Sequence, residues 1–277
     1  MRSRSGSKRT SSAVVVAVML GGLTAFGQNQ RPVPTESPDV IVGRSVRVHV
    51  IASEDLEPDV LRALARPQVA LWLTTRTNTL RESTLETLNR FEAAFVQLRT
   101  PLSGVDVKAL TKSPRAGLWM NLEGTSALSR VRGSRPLALE VSGVLDEQRH
   151  GWLLEQKPSF VRWSPEASID LLEWSRFKTL PGRKAVVLTP GLLLPRDCAT
   201  RDAAEPSAEL HVATLLAVSA GVFPCGAGTR VEVPPDVEPW LLKSLIVRDP
   251  SVELVVRVGE DVRKVGRARA LLELLGR

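Results

Sequence analysis

The sequence predicts an α/β fold of repeated strand–helix units. The leading form is a compact or irregular (βα)8-type barrel, and an open doubly wound parallel sheet is the alternative. Three observations carry this. Short apolar runs recur about every 20 to 25 residues from 46 to 189, each followed by a short stretch of helical pattern. Little else separates them, and strand-then-helix repetition implies parallel strands joined by helical crossovers. Once an N-terminal export segment is set aside, about 250 residues remain, the usual size of such a barrel. A leucine-rich horseshoe has a similar period, but the units lack its L-x-x-L-x-L and Asn register.

Residues 1–27 read as a secretory signal peptide. Arg2, Arg4, Lys8 and Arg9 form the basic region, and an apolar run from Ala13 to Gly27 follows. Ala25 and Gly27 are the small residues that a signal peptidase reads, so cleavage is expected before Gln28. The run is shorter than the roughly 20 residues of a spanning helix, and retention as an anchor is the rival reading. Residues 28–43 form a polar, Pro-containing tether, and residues 44–277 form a single α/β domain. The expected location is secreted or periplasmic, with no transmembrane segment after cleavage.

The whole chain has 37 basic and 30 acidic residues. Without the signal the count is 33 against 30, and the basic residues are scattered. Nucleic-acid binding, which needs a concentrated basic face, is not expected.

The units follow in order. Val46–Ala52 leads to a helix over Pro58–Ala65, where Pro58 suits the first turn because its missing N–H would have no helical partner. Val69–Thr75 leads to Ser83–Phe91, with Ser83 and Glu86 spaced as a capping box. Ala94–Arg99 precedes a short helix near Val105–Leu110, and Ala116–Leu122 precedes a turn at Thr125–Arg130. Pro136–Val141 leads to a helix over Asp146–Gln156. Phe160–Trp163 leads to a helix beginning at Ser164-Pro165-Glu166 and ending near Phe177. Ala185–Thr189 closes the regular series.

Residues 190–206 read as an irregular insertion, and Ala208–Ala220 as an apolar helix. Val222–Phe223, Thr229–Val233, Asp236–Val247, Val252–Val258 and Glu260–Leu275 then alternate strand and helix. Thr229–Val233 is either a barrel strand or part of an inserted hairpin.

Cys198 and Cys225 read as a disulfide in an exported chain. The closed loop of about 28 residues would be worth roughly 3–4 kcal/mol in chain-entropy terms. A reactive thiol based by His211 is the alternative.

Buried parallel strands normally read as unbroken apolar runs. Here His49, Gln97, Arg99, Asn121, Glu123, Glu140 and Arg162 interrupt them. Several fall near strand C-termini, where βα barrels build their sites. Glu123 and Glu140 are the candidate catalytic pair, as acid and base. Arg99, Arg162, Asn121 and His49 are the candidate substrate-binding groups. The same residues also suit a buried ion-pair network without chemistry.

Glu54, Asp55, Asp197 and Asp202 are loop acids on the same rim. The three histidines (His49, His150, His211) have no metal-ligand spacing, so no metal site is expected. Gly226-Ala227-Gly228 lacks the third glycine of a dinucleotide fingerprint, with Val231 in its place, and no cofactor is expected. Ala217-Val218-Ser219-Ala220-Gly221 lacks the first glycine of a nucleophile elbow. Trp72, Trp119 and Trp163 fall in strands, as core or as a stacking surface for sugars.

Two functional readings follow. The favoured one is an exported, non-catalytic ligand-binding or structural barrel, with a small molecule or glycan as its ligand. The alternative is a hydrolase, acting on glycans, that uses the paired carboxylates. A third class is docking at the envelope through the tether or the basic-apolar helix Glu260–Leu275.

Overall fold

A computed structural model describes residues 47–76, 80–98, 113, 116–121, 135–166, 168–188, 206–211, 229–248 and 252–275. Among them ten strands pair in parallel: β1 (Val48–Ser53), β2 (Val69–Thr74), β3 (Ala93–Gln97), β4 (Gly117–Asn121), β5 (Leu137–Ser142), β6 (Phe160–Ser164), β7 (Arg183–Val187), β8 (Ser207–His211), β9 (Thr229–Val233) and β10 (Glu253–Gly259). Each pairs with the next, and β10 pairs with β1, closing the sheet into a barrel. The helices are α1 (Pro58–Arg62), α2 (Glu82–Leu88), α3 (Glu147–Gln156), α4 (Leu171–Thr179), α5 (Pro239–Arg248) and α6 (Val262–Leu275).

The barrel class is as predicted, but ten strands replace eight. Two strands account for the difference, one misread as helix and one left open between barrel strand and hairpin. Ser207–His211, read as the start of an apolar helix, is a strand between β7 and β9. Its Ala-Glu-Leu-His sequence alternates with period two, and the following apolar run hid that signal. Thr229–Val233 is a barrel strand, not a hairpin. His211 therefore belongs to a strand.

The strand alternation sorts side chains onto two faces. Val48, Val50, Leu71, Val96, Leu118, Met120, Leu139, Val161, Val186, Val231 and Val256 belong to the large apolar layer, which also takes in the helices. Leu61 of α1, Leu85 and Leu88 of α2, Leu153 of α3, Trp174 and Phe177 of α4 and Leu242 of α5 complete it. Each fully buried aliphatic or aromatic side chain here contributes about 1.5–3 kcal/mol. In α6 the apolar residues Val265, Ala268, Leu271 and Leu272 are likewise buried in this layer. That face is committed to the domain. Arg267 and Arg269 are exposed and pair with Asp236 and Glu273.

A second, smaller cluster holds Ala70, Trp72, Ala93, Phe95, Trp119, Ala138, Phe160 and Ala185. These are the inward residues. Trp72 stacks on Phe95 at 4.4 Å and meets Trp119 edge-on at 5.5 Å. Gly117 makes room for this: a Cβ there would lie 2.6 Å from the Phe95 ring.

Local signals decide the helix starts. Asp146 caps α3 by accepting from the Arg149 N–H at 2.8 Å. Asp170 and Glu173 form a reciprocal capping box on α4. Ser164 instead ends β6, so this helix starts later than Ser164-Pro165-Glu166 suggested; the box at Asp170 satisfies two free N–H groups that the proline motif leaves unmet. Arg81, not Ser83, occupies the N-cap of α2, and no side chain caps it.

The predicted helices near Val105–Leu110 and Thr125–Arg130, the strand Val222–Phe223 and residues 190–205 of the insertion lie outside the described residues. The export segment, the tether and both cysteines lie outside them as well. No helix among the described residues is long and apolar enough to cross a membrane.

Candidate functional site

A network of charged side chains draws on six strands, β5 to β10. Register places Glu140 beside Arg162 across β5 and β6, Glu209 beside Arg230 across β8 and β9, and Arg230 beside Glu253 across β9 and β10. Arg162 holds Glu209 with two nitrogens: Nε donates to Oε1 at 2.8 Å and Nη2 lies 2.7 Å from it. Its third nitrogen, Nη1, is 3.5 Å from Glu140 Oε1. Arg230 Nε lies 3.5 Å from Glu209 and 3.7 Å from Glu253. Arg183 also pairs with Glu253. The guanidinium of Arg230 sits 4.8 Å from the centre of the Phe160 ring, a cation–π contact.

His49 ends the chain at β1. Trp72 Nε1, which can only donate, bonds His49 Nδ1 at 3.0 Å. Nδ1 is therefore the bare nitrogen, and Nε2–H donates to Glu253 Oε2 at 2.9 Å. The imidazole is neutral. Burial first, and then Arg230, hold its pKa below the ordinary value.

Electrostatics separate the three carboxyls. Burial raises all of them, but the outcome differs with the arginines. For Glu253 the opposing hydrogen bond from His49 and the charges of Arg230 and Arg183 prevail, and its pKa falls far below the carboxylate range. For Glu209 burial is likewise outweighed, by Arg230 and Arg162, and the net shift is downward. Glu140 goes the other way. Burial pushes its pKa up, Arg162 only partly offsets this, and Glu209 adds to the rise. Arg162 is committed to Glu209, which leaves Glu140 as the weakly held member at the barrel mouth, 26% exposed against 3% for Glu209.

His49, Glu140, Arg162, Glu209 and Arg230, with Ile51, Trp72, Trp119, Ala138, Leu139, Phe160 and Val255, line one cavity. Its room for water centres is about 20 Å³. A single water needs about 10–15 Å³ on that measure. A sugar ring does not fit.

Of the six predicted site residues, the structure brings Glu140 and Arg162 together and buries His49 in the same network. Asn121 pairs in register with Glu140 and is exposed at the end of β4. Arg99 and Glu123 lie outside the described residues, as do Asp197 and Asp202. Gln97 ends β3 and is partly exposed. Glu54 and Asp55 bind Arg76 at the rim, the first through its backbone N–H. His150 lies on α3, its Nε2 2.9 Å from Thr179 Oγ1. Trp72 and Trp119 are interior packing, while Trp163 is in the outer layer.

Sequence reasoning missed Arg183, Glu209, Arg230 and Glu253. Glu209 was hidden by the helix assignment. Arg183 and Glu253 stand at the first positions of their strands, where flanking charge is ordinary. Arg230 had a readable signal: Arg-Val-Glu-Val alternates charged and apolar residues. No group of three or more metal-ligating side chains gathers among the described residues. Neither protein-family models nor curated proteins match this sequence.

Proposed function

We propose that this chain is an exported, non-catalytic barrel that serves as a ligand-binding or structural protein. One observation supports this most: the barrel interior is filled by the chain Glu140–Arg162–Glu209–Arg230–Glu253–Arg183, with about one water's worth of space. Two carboxylates that act on a glycosidic bond stand about 5–10 Å apart with a substrate between them. Here Glu209 is gripped by Arg162, and the space between it and Glu140 is filled by that guanidinium.

The hydrolase reading keeps one point in its favour. Glu140 is a partly exposed carboxyl with a raised pKa at the mouth, the character of a general acid. Its partner in that reading is Glu123. A screen of the full chain against glycoside and ester substrates separates the two. No turnover, together with an unchanged profile for Glu140→Gln, is expected. An activity that Glu140→Gln abolishes while the circular dichroism spectrum persists overturns the non-catalytic reading.

Export rests on the basic and apolar layout of residues 1–27. Intact-mass measurement of the protein recovered from the host envelope tests it. A mature chain starting at Gln28 supports export, and a chain retaining Met1 in the cytoplasmic fraction removes it. The disulfide between Cys198 and Cys225 belongs to the same proposal.

A further inference from the structure

Four buried polar atoms around the cavity have no hydrogen-bond partner in the protein: Trp119 Nε1, Arg230 Nε, Arg230 Nη1 and Glu209 Oε2. All three residues line that cavity. Their residue exposures are 5%, 4% and 3%, so bulk solvent does not satisfy them. Leaving such groups unmet costs about 1–3 kcal/mol each, and more when they are charged.

The chemistry of the set limits what can satisfy it. Three atoms donate and one accepts. An anion would meet the donors but would lie against the ionised carboxylates of Glu209 and Glu253, both already beside Arg230. A cation would meet Glu209 and oppose Arg230. An apolar group would meet none of them. The occupant must accept and donate at once, and the room of about 20 Å³ admits one molecule of water size.

We infer that the barrel interior contains a specific binding site for a single structural water, which accepts from Arg230 Nη1 and donates to Glu209 Oε2. The indole N–H of Trp119, which faces the Glu140 side of the cavity without a good hydrogen bond, is the third partner. Three hydrogen bonds are the usual complement of a buried water. The water joins the two weakly coupled halves of the ion chain, where the direct Arg230–Glu209 separation is 3.5 Å. It also sets the chemical class that could replace it: a hydroxyl or another small amphoteric group, not a carboxylate or an amine.

The test is a crystal structure of the full chain at about 1.5 Å, with a second crystal soaked in bromide. One peak within hydrogen-bond distance of Arg230 Nη1 and Glu209 Oε2, refining as water and carrying no bromide anomalous signal, is the expected result. An anomalous peak there makes it a halide site and overturns the inference. So does an empty cavity in which Arg230 and Glu209 close directly on each other. The Trp119→Phe variant provides a second arm, since it removes one donor and leaves the other partners in place. The peak is expected to remain on Arg230 and Glu209, with higher displacement. Its complete loss, with both side chains unmoved, shows that the Arg230–Glu209 pair does not define the site.

Discussion

Glu209 is the carboxylate on which two arginines depend, and neutralising it is the sharpest test of the interior network. Glu209→Gln keeps the side-chain shape and removes the charge. Arg162 then loses the anion it holds at 2.7–2.8 Å, and fully buried Arg230 loses one of its two carboxylates. Removing one partner of a buried pair costs about 3–5 kcal/mol, because the remaining charge is left uncompensated. At about 2–4 °C per kcal/mol for a domain of this size, Tm falls by roughly 6–20 °C. The double change Arg162→Met with Glu209→Gln removes both charges. Glu140 is then left at the mouth, where water reaches it and where its raised pKa lets it take up a proton. The double variant is therefore expected to lie closer to wild type than Glu209→Gln alone. Urea denaturation of the four proteins measures the coupling directly. A single-variant cost below about 1 kcal/mol, or a double variant equal to the sum of the singles, refutes a tightly coupled buried network.

Glu140 holds its proton to higher pH in the fold than in the unfolded chain, so its contribution is complete below the ordinary carboxylate range and is lost as pH rises through the folded value. Glu140→Gln should therefore match wild type near pH 4 and exceed its urea midpoint near pH 8; a variant weaker at pH 8 contradicts this. His49 and Glu253 act in the opposite direction. The lowered His49 pKa gives stability present above about pH 6.5, and the depressed Glu253 pKa gives stability present above about pH 4.3; both are lost as pH falls. Midpoints of the wild type should drop first between pH 7.5 and 5.5, and His49→Gln should flatten that first step; an unchanged slope would exclude His49 as its source. Gly182 has φ +75°, and a Cβ there would sit 2.4 Å from the Pro158 carbonyl oxygen. Gly182→Ala is expected to cost about 1–3 kcal/mol by thermal melting, and a neutral result would show that the α4–β7 turn can relax. Thiol counting on the exported protein should find Cys198 and Cys225 joined in one disulfide, and two free thiols would remove that pairing.

The outer layer of the fold was legible and the interior was only half so. Runs such as Val69–Thr74 and Leu137–Ser142 announce buried strands because both faces are covered. Glu140 and Arg162 stood out because each interrupts such a run. Glu209 did not, since its five-residue strand runs into a longer apolar stretch whose composition favours helix. The charge at Glu253 looked like a strand flank, because a sequence does not say how strongly the strands are staggered around a barrel. That stagger carries the first residue of β10 to the level of His49 and Arg230. The pairing of Arg162 with Glu209, 47 positions away, depends on closure and has no local trace.

Glu253 stands on the last strand and answers groups on the first, seventh and ninth. Its contact with His49 spans 204 positions of sequence. A chain folding from its N-terminus can place Trp72 against His49 early, but the imidazole's acceptor and the second carboxylate of Arg230 arrive only when β10 docks. Until then a partly assembled barrel would bury a guanidinium with half its counter-charge. Neutralisation and closure of the sheet are thus the same event, which makes half-built barrels poor resting states and late, long-range docking the step that commits the chain.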